Sequence, residues 1–79
     1  MKGMDKRMQQ LDNRGLQPPE PMVRTLTTLE KMQDGDTLTI INDRRPLFLY
    51  EELDALGYPH VTEQNGDGSY KITIMKQGD

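Results

Sequence analysis

Apolar residues between positions 22 and 32 recur every three or four residues, which is the spacing of one buried face of an α-helix. The members of this stripe are Met22, Val23, Leu26, Leu29 and Met32. The helix is predicted to begin at Pro18 or Pro19, because proline is favoured in the first turn, where Glu20 also suits the helix dipole. The segment Asp34-Gly35-Asp36 is predicted to end it, since glycine suits a left-handed cap.

A second apolar stripe predicts another helix after the polar segment 43–45. Its members are Leu49, Tyr50, Leu53 and Leu56. Pro46 stands where a helix can start, because proline has no N–H to lose in the first turn. Gly57 is predicted to cap this helix, and Pro59 prevents the helix from resuming.

Alternating apolar and polar residues predict four strands. The clearest is Thr37 to Asn42, which is rich in β-branched residues and places Leu38 and Ile40 on one face. Three others are predicted at Met8 to Leu11, Val61 to Gln64 and Ser69 to Met75. The segment Asn65-Gly66-Asp67-Gly68 is typical of a hairpin loop between the last two.

The order β-α-β-α-β-β predicts an α/β (α+β) two-layer sandwich, in which both helices cover one face of a mixed four-stranded sheet. The residues expected to be buried together are Leu26, Leu29, Leu38, Ile40, Leu53 and Ile72. The 79 residues allow one domain, which we place at 8–76, between a flexible N-terminal tail at 1–7 and a C-terminal tail at 77–79.

Charge and composition narrow the possible functions. The net charge of −3 argues against a general nucleic-acid binder. No apolar run approaches the roughly 18 residues that a membrane span needs, and no signal peptide is visible. The absence of cysteine excludes disulfides, thiolate catalysis and cysteine metal sites. A cysteine-free chain suits a reducing cytosol, and we expect a cytoplasmic protein.

Candidate catalytic groups are few, so we expect no enzyme, no metal and no cofactor. His60 is the one histidine, without a second ligand nearby in sequence, and a strand-edge position is the expected role. Glu51 and Glu52 are adjacent on a helix and point in different directions, so they do not form an acid–base pair. No activated nucleophile is visible.

Three groups of polar or proline residues have both a binding and a structural interpretation. Asp12 and Arg14 are either a ligand-binding pair or a capped turn in which Arg14 pairs with Asp12 or Glu20. The segment Pro18 to Pro21 is either a docking segment or a device that fixes the helix entry. Arg44 and Arg45 either bind a phosphate or carboxylate or are solvated.

A shared location is expected for two of these groups. Arg14 follows the first strand, and Arg44 and Arg45 follow the second. If these strands are parallel neighbours, both loops emerge at the same sheet edge, where α/β proteins usually bind ligands. An anion site there would use Arg14, Arg44 and Arg45.

The stretch from Leu11 to Pro21 resembles the opening motif of the TusA/SirA-like sulfur carriers, which is Leu-Asp, one residue, Arg-Gly-Leu and then Cys-Pro-Glu-Pro. Aligned on Arg14, Gly15 and the final Pro-Glu-Pro, the carrier cysteine falls at Pro18. The resemblance extends from residue 8 to 75 and implies the same fold, without the sulfur-carrying residue.

Three segments are similar to the DUF2249 group of this fold, which typically lacks the cysteine. They are Pro18 to Pro21, Gly35 to Leu38 (Gly-Asp-Thr-Leu), and Asp43 to Tyr50, where Arg-Xaa-Pro-Leu-Xaa-Leu-Tyr opens the second helix. Relative to the carriers, three prolines remove N–H donors from the site and Glu20 adds a negative charge.

The resemblance implies a bacterial, non-enzymatic interaction or accessory module that is linked to redox or sulfur metabolism and has a protein partner. The alternative is a small-molecule or anion-binding domain that uses Arg14, Arg44 and Arg45. The candidate binding residues for both are Asp12, Arg14, Pro18, Pro19, Glu20, Arg44 and Arg45.

Overall fold

The computed structural model describes residues 7–78, and its elements follow the predicted order. The strands are β1 (Met8–Asp12), β2 (Thr37–Asn42), β3 (His60–Gln64) and β4 (Tyr70–Met75), and the helices are α1 (Glu20–Lys31) and α2 (Leu47–Leu56). Of the two predicted tails, residues 1–6 and Asp79 lie outside the described residues. Arg7, the last residue of the predicted N-terminal tail, is hydrogen-bonded to the domain, since its N–H donates to Asp36 Oδ1 at 3.0 Å.

The four strands form one mixed sheet in the order β1-β2-β4-β3. β1 and β2 are parallel, with Leu11 opposite Ile40. β4 runs antiparallel to both of its neighbours, β2 and β3. The predicted condition for two loops at one sheet edge is therefore met, because parallel β1 and β2 end on the same side.

Both helices pack on one face of this sheet and share one apolar core. The buried apolar residues are Leu29, Met32, Leu38, Ile40, Leu49, Leu53, Ile72 and Ile74. Five of the six residues predicted to be buried together are in this set. The sixth, Leu26, packs against the core but is only partly buried. The two-layer sandwich predicted from the element order is thus confirmed.

The first helix is shorter than predicted, although Pro19 is its N-cap and Gly35 has the expected left-handed conformation, with a φ of 93°. α1 begins at Glu20, because the Glu20 N–H donates to the Gln17 carbonyl at 2.8 Å and closes a separate turn over the prolines. It ends at Lys31, and Met32 is already extended. The carbonyl of Met32 accepts from Lys76 Nζ at 2.6 Å. This charged donor satisfies the helix end, so the chain does not need Gly35 as a cap.

Two predicted members of the apolar stripes are exposed. Val23 is 54% exposed, and its place on the buried side of α1 is taken by Thr25. The Thr25 hydroxyl donates to the Pro21 carbonyl at 2.8 Å, so this polar side chain is buried with its proton satisfied. Leu56 is exposed because α2 ends there, at Gly57, which has the predicted left-handed conformation (φ 79°).

Candidate functional site

An open groove of about 1020 Å³ lies where β1 and β2 end. One side is formed by segment 13–22, which leads from β1 into α1, and the other by segment 42–49, which leads from β2 into α2. Both helices start at this groove, so their positive dipole ends lie beside it. The groove therefore brings together residues from both of the loops that the sequence singled out.

Asp12 and Arg14 form a tight pair at the margin of this groove. Arg14 Nε donates to Asp12 Oδ1 at 2.9 Å, and Nη2 donates to Asp12 Oδ2 at 2.8 Å. Arg14 Nη1 also reaches Asp67 Oδ2 at 3.4 Å. The side-chain hydrogen bonds from Arg14 lower the pKa of Asp12 to about 2, and the same contact raises the pKa of Arg14. This geometry matches the structural interpretation, in which the pair holds the loop.

A backbone contact joins the two loops. The N–H of Gly15 donates to Asp43 Oδ2 at 2.8 Å. Gly15 has a φ of 83°, a left-handed conformation that glycine adopts without steric cost. One carboxylate oxygen of Asp43 thus accepts a hydrogen bond that fixes the spacing between the two segments that form the groove.

The floor of the groove contains a buried polar network that sequence reasoning missed. Asn13 Nδ2 donates to Thr25 Oγ1 at 3.2 Å and to Asn42 Oδ1 at 3.1 Å. Arg24 Nη1 reaches Asn13 Oδ1 at 3.4 Å. The sequence did contain a signal for one member of this network. Asn42 follows Leu38 and Ile40 at the same alternating positions of the strand, which predicts that its side chain points inward.

Prolines and apolar side chains form the upper walls. Pro18 and Pro19, joined by a cis peptide bond, line the side next to α1. Leu47 and Phe48, 64% and 76% exposed, line the side next to α2. Pro18 therefore faces the groove from one wall, opposite two exposed apolar residues.

The candidate arginines differ in their surroundings. Arg44 and Arg45 both line the groove. The guanidinium of Arg45 lies over the Tyr70 ring, 5.4 Å from its centroid, which orients it by a cation–π contact. The structure thus brings Pro18, Pro19, Arg44 and Arg45 to the groove lining. The remaining candidates, Asp12, Arg14 and Glu20, are outside that lining.

His60 lies away from the groove, at the start of the edge strand β3, as predicted. Its ring stacks on Tyr50 with centroids 5.2 Å apart, and its Nδ1 is 3.0 Å from the Tyr58 carbonyl oxygen. Within residues 7–78, no three His, Asp or Glu side chains are placed to hold a metal ion. In the same range, no helix has the length and apolar character to cross a bilayer.

This arrangement of sheet, helices and groove defines the class as a small α/β domain of the SirA-like fold. The chain is similar to the crystal structure of a SirA-like protein from Desulfitobacterium hafniense, with a TM-score of 0.79 and 23% sequence identity. The likeness covers 90% of this chain and 100% of that one. A model of DUF2249, described as an uncharacterized conserved protein, matches residues 10–76. The chain therefore belongs to the DUF2249 family, as its motifs indicated.

Proposed function

We propose that this domain is a non-enzymatic accessory module, linked to redox or sulfur metabolism, that binds a protein partner through the groove. The link to sulfur or redox metabolism rests on the resemblance of its motifs to those of the sulfur carriers. By alignment with the carrier motif, the cysteine falls at Pro18, and Pro18 is among the residues that line the groove.

The observation that supports this proposal most directly is the exposure of Leu47 and Phe48. Their neighbour Leu49 is 1% exposed and fills the core, so α2 is held on the sheet without them. Apolar side chains of this size that project beside a groove are typical of protein contact sites. A partner that covers both would remove their apolar surface from water.

The chemistry of the groove favours binding over catalysis. The charged residues among those that line it are Asp43, Arg44 and Arg45. Guanidinium groups offer only hydrogen-bond donors, and Oδ2 of Asp43 already accepts from the Gly15 N–H, so these residues are suited to hold a bound group. The chain also has no cysteine to serve as a nucleophile.

The proposal is tested with Phe48→Ser and a matched control, Val61→Ser. Val61 is also strongly exposed, at 64%, but lies on β3, away from the groove. Proteins captured by the unaltered chain from its native cell are purified and their affinities for the three chains measured. We expect Phe48→Ser to weaken binding at least about tenfold, as for an interface anchor. Equal affinities for Phe48→Ser and Val61→Ser would discard the groove as the docking site.

The second candidate function is anion binding, and the placement of Arg44 and Arg45 in the groove lining favours it. It predicts that phosphate or sulfate shifts the amide resonances of residues 14–15 and 44–47 together. Arg45→Ala should abolish the shifts. If neither segment responds to a panel of anions, this candidate is discarded, whereas the docking proposal is unaffected.

A further inference from the structure

The orientation of the Asn42 side-chain amide follows from its neighbours. Thr25 donates its hydroxyl proton to Pro21, so Thr25 Oγ1 accepts from Asn13, and the Asn13 nitrogen must face it. Arg24 Nη1 is also a donor, so the Asn13 side-chain atom that faces it must be the oxygen Oδ1. The same Asn13 nitrogen donates to Asn42, so Asn42 must present its oxygen to Asn13. The Asn42 Nδ2 group therefore points elsewhere.

That nitrogen is a donor available to the groove. Asn42 is 6% exposed and belongs to the groove lining. Its Nδ2 makes no hydrogen bond to residues 7–78. Within the same residues, every fully buried side-chain nitrogen or oxygen atom has a hydrogen-bond partner. The atom is therefore not fully enclosed, and because Asn42 lines the groove, a ligand oxygen can approach the atom from there.

The first turn of α2 supplies further donors at the same place. α2 has ten residues, and no side chain caps its start. The N–H groups of Phe48 and Leu49 find no acceptor within residues 7–78, and both residues line the groove. First-turn N–H groups point out of a helix along its axis and favour a negatively charged acceptor.

The charged and apolar residues of the groove lining indicate the chemical character of the ligand. The lining includes Arg44 and Arg45 against the single carboxylate of Asp43, which gives a net charge of +1 in a protein of net charge −3. Leu16, Met22 and Phe48 supply apolar surface beside these donors. The complementary group is a carboxylate attached to an apolar body.

We infer that the groove binds the C-terminal carboxylate of a partner chain that ends in an apolar residue. The carboxylate accepts from Asn42 Nδ2 and from the first turn of α2, and the last side chain packs between Met22 and Phe48. This inference rests on the proposed docking function and names the part of the partner that is recognised.

The test uses the full chain and two labelled pentapeptides, Gly-Ser-Gly-Ser-Leu and Gly-Ser-Gly-Ser-Phe, each as a free acid and as a C-terminal amide. Affinity is measured by NMR titration. We expect the free acids to move the Asn42 side-chain resonance and the amides of Phe48 and Leu49. The amide peptides should bind at least about tenfold more weakly, because they lose a charged acceptor.

Asn42→Asp is the sharpest variant, because it keeps the oxygen that accepts from Asn13 and replaces the outward NH₂ donor with a carboxylate oxygen, which repels the carboxylate of a ligand. It should weaken the free acids at least about tenfold. The matched control is Gln10→Glu, the same amide-to-carboxylate change on exposed β1, which should leave affinity within about twofold. If Asn42→Asp does not fold, the comparison of acid with amide on the unaltered chain still decides.

Acid and amide peptides that bind alike, or do not bind, would overturn the inference. So would inorganic phosphate that displaces the free acids at equal concentration, which would indicate a general anion site. Hexanoate that competes as well as the peptides would identify a small carboxylic acid as the ligand instead. A different result would contradict the proposed docking function itself, namely equal binding of the purified partner by Phe48→Ser and Val61→Ser.

Discussion

The side-chain nitrogen of Asn13 donates to the side-chain oxygen of Asn42 at 3.1 Å, and so joins the ends of β1 and β2 beneath the groove. Both residues are buried, and Thr25 from α1 completes the link. Three elements are thereby held together by hydrogen bonds at the point where the apolar core ends. A polar network of this kind fixes a geometry only while each member is satisfied.

Asn13→Ala is expected to destabilise the fold by about 1–3 kcal/mol, because it leaves the buried oxygen of Asn42 without its donor. The free energy of unfolding is measured by urea denaturation. Gln10→Ala, on the exposed outer strand, is the control and should change it by less than about 0.5 kcal/mol. An Asn13→Ala chain as stable as the control would show that the network contributes nothing to the fold.

Ile40→Ala should lower the free energy of unfolding by about 2–5 kcal/mol, since this fully buried side chain lies at the centre of the sheet and its removal leaves a cavity. Leu26→Ala should cost less, because Leu26 is only partly buried. Val23→Ala on the exposed side of α1 provides the reference. Unchanged unfolding midpoints for both Ile40→Ala and Leu26→Ala would show that the core is assigned wrongly.

The Asp12–Arg14 pair predicts a dependence of stability on pH. The hydrogen bonds from Arg14 lower the pKa of Asp12 from its ordinary 3.8 to about 2 in the folded chain. Ionised Asp12 therefore stabilises the fold fully above 3.8, and this contribution is lost as the pH falls through about 2.

Asp12→Asn should accordingly be less stable than the unaltered chain at about pH 5, and the difference should shrink towards about pH 2. Urea denaturation at a series of pH values measures it. Glu51→Gln is the control, because this exposed carboxylate accepts no hydrogen bond from the residues described. A carboxyl titration that places the pKa of Asp12 at or above its ordinary value would contradict the pair's role.

The chain is expected to carry no persulfide. Incubation with a cysteine desulfurase and its substrate should add no sulfur to the mass, because no thiol is present. Pro18→Cys is the stricter test, and its thiol pKa should not fall well below the usual value of about 8.5. Glu20 and the prolines at 19 and 21 oppose a thiolate there. A strongly lowered thiol pKa would show that the site still favours an anion.

Much of the fold followed from the sequence, because its determinants are local. The alternation in β2 and the apolar stripe of α2 depend on side-chain periods that any chain with this pattern must satisfy. Pro46 and Gly57 mark the limits of α2 through backbone preferences of their own. The motifs at residues 18–21, 35–38 and 43–50 likewise indicated the DUF2249 family, which the family match over residues 10–76 confirms.

The tertiary structure decided which polar groups meet. The end of α1 depends on Lys76, 44 residues from the carbonyl that it contacts, and no local pattern contains that partner. Thr25 rather than Val23 can be buried on α1 because Pro21 and Asn13 satisfy its hydroxyl group. Arg14 lies with Asp12 and Asp67, outside the groove lining, whereas Arg44 and Arg45 reach that lining. Hydrogen bonds across distant segments settle these choices, because the free energy of burying a polar side chain depends on whether a partner is present.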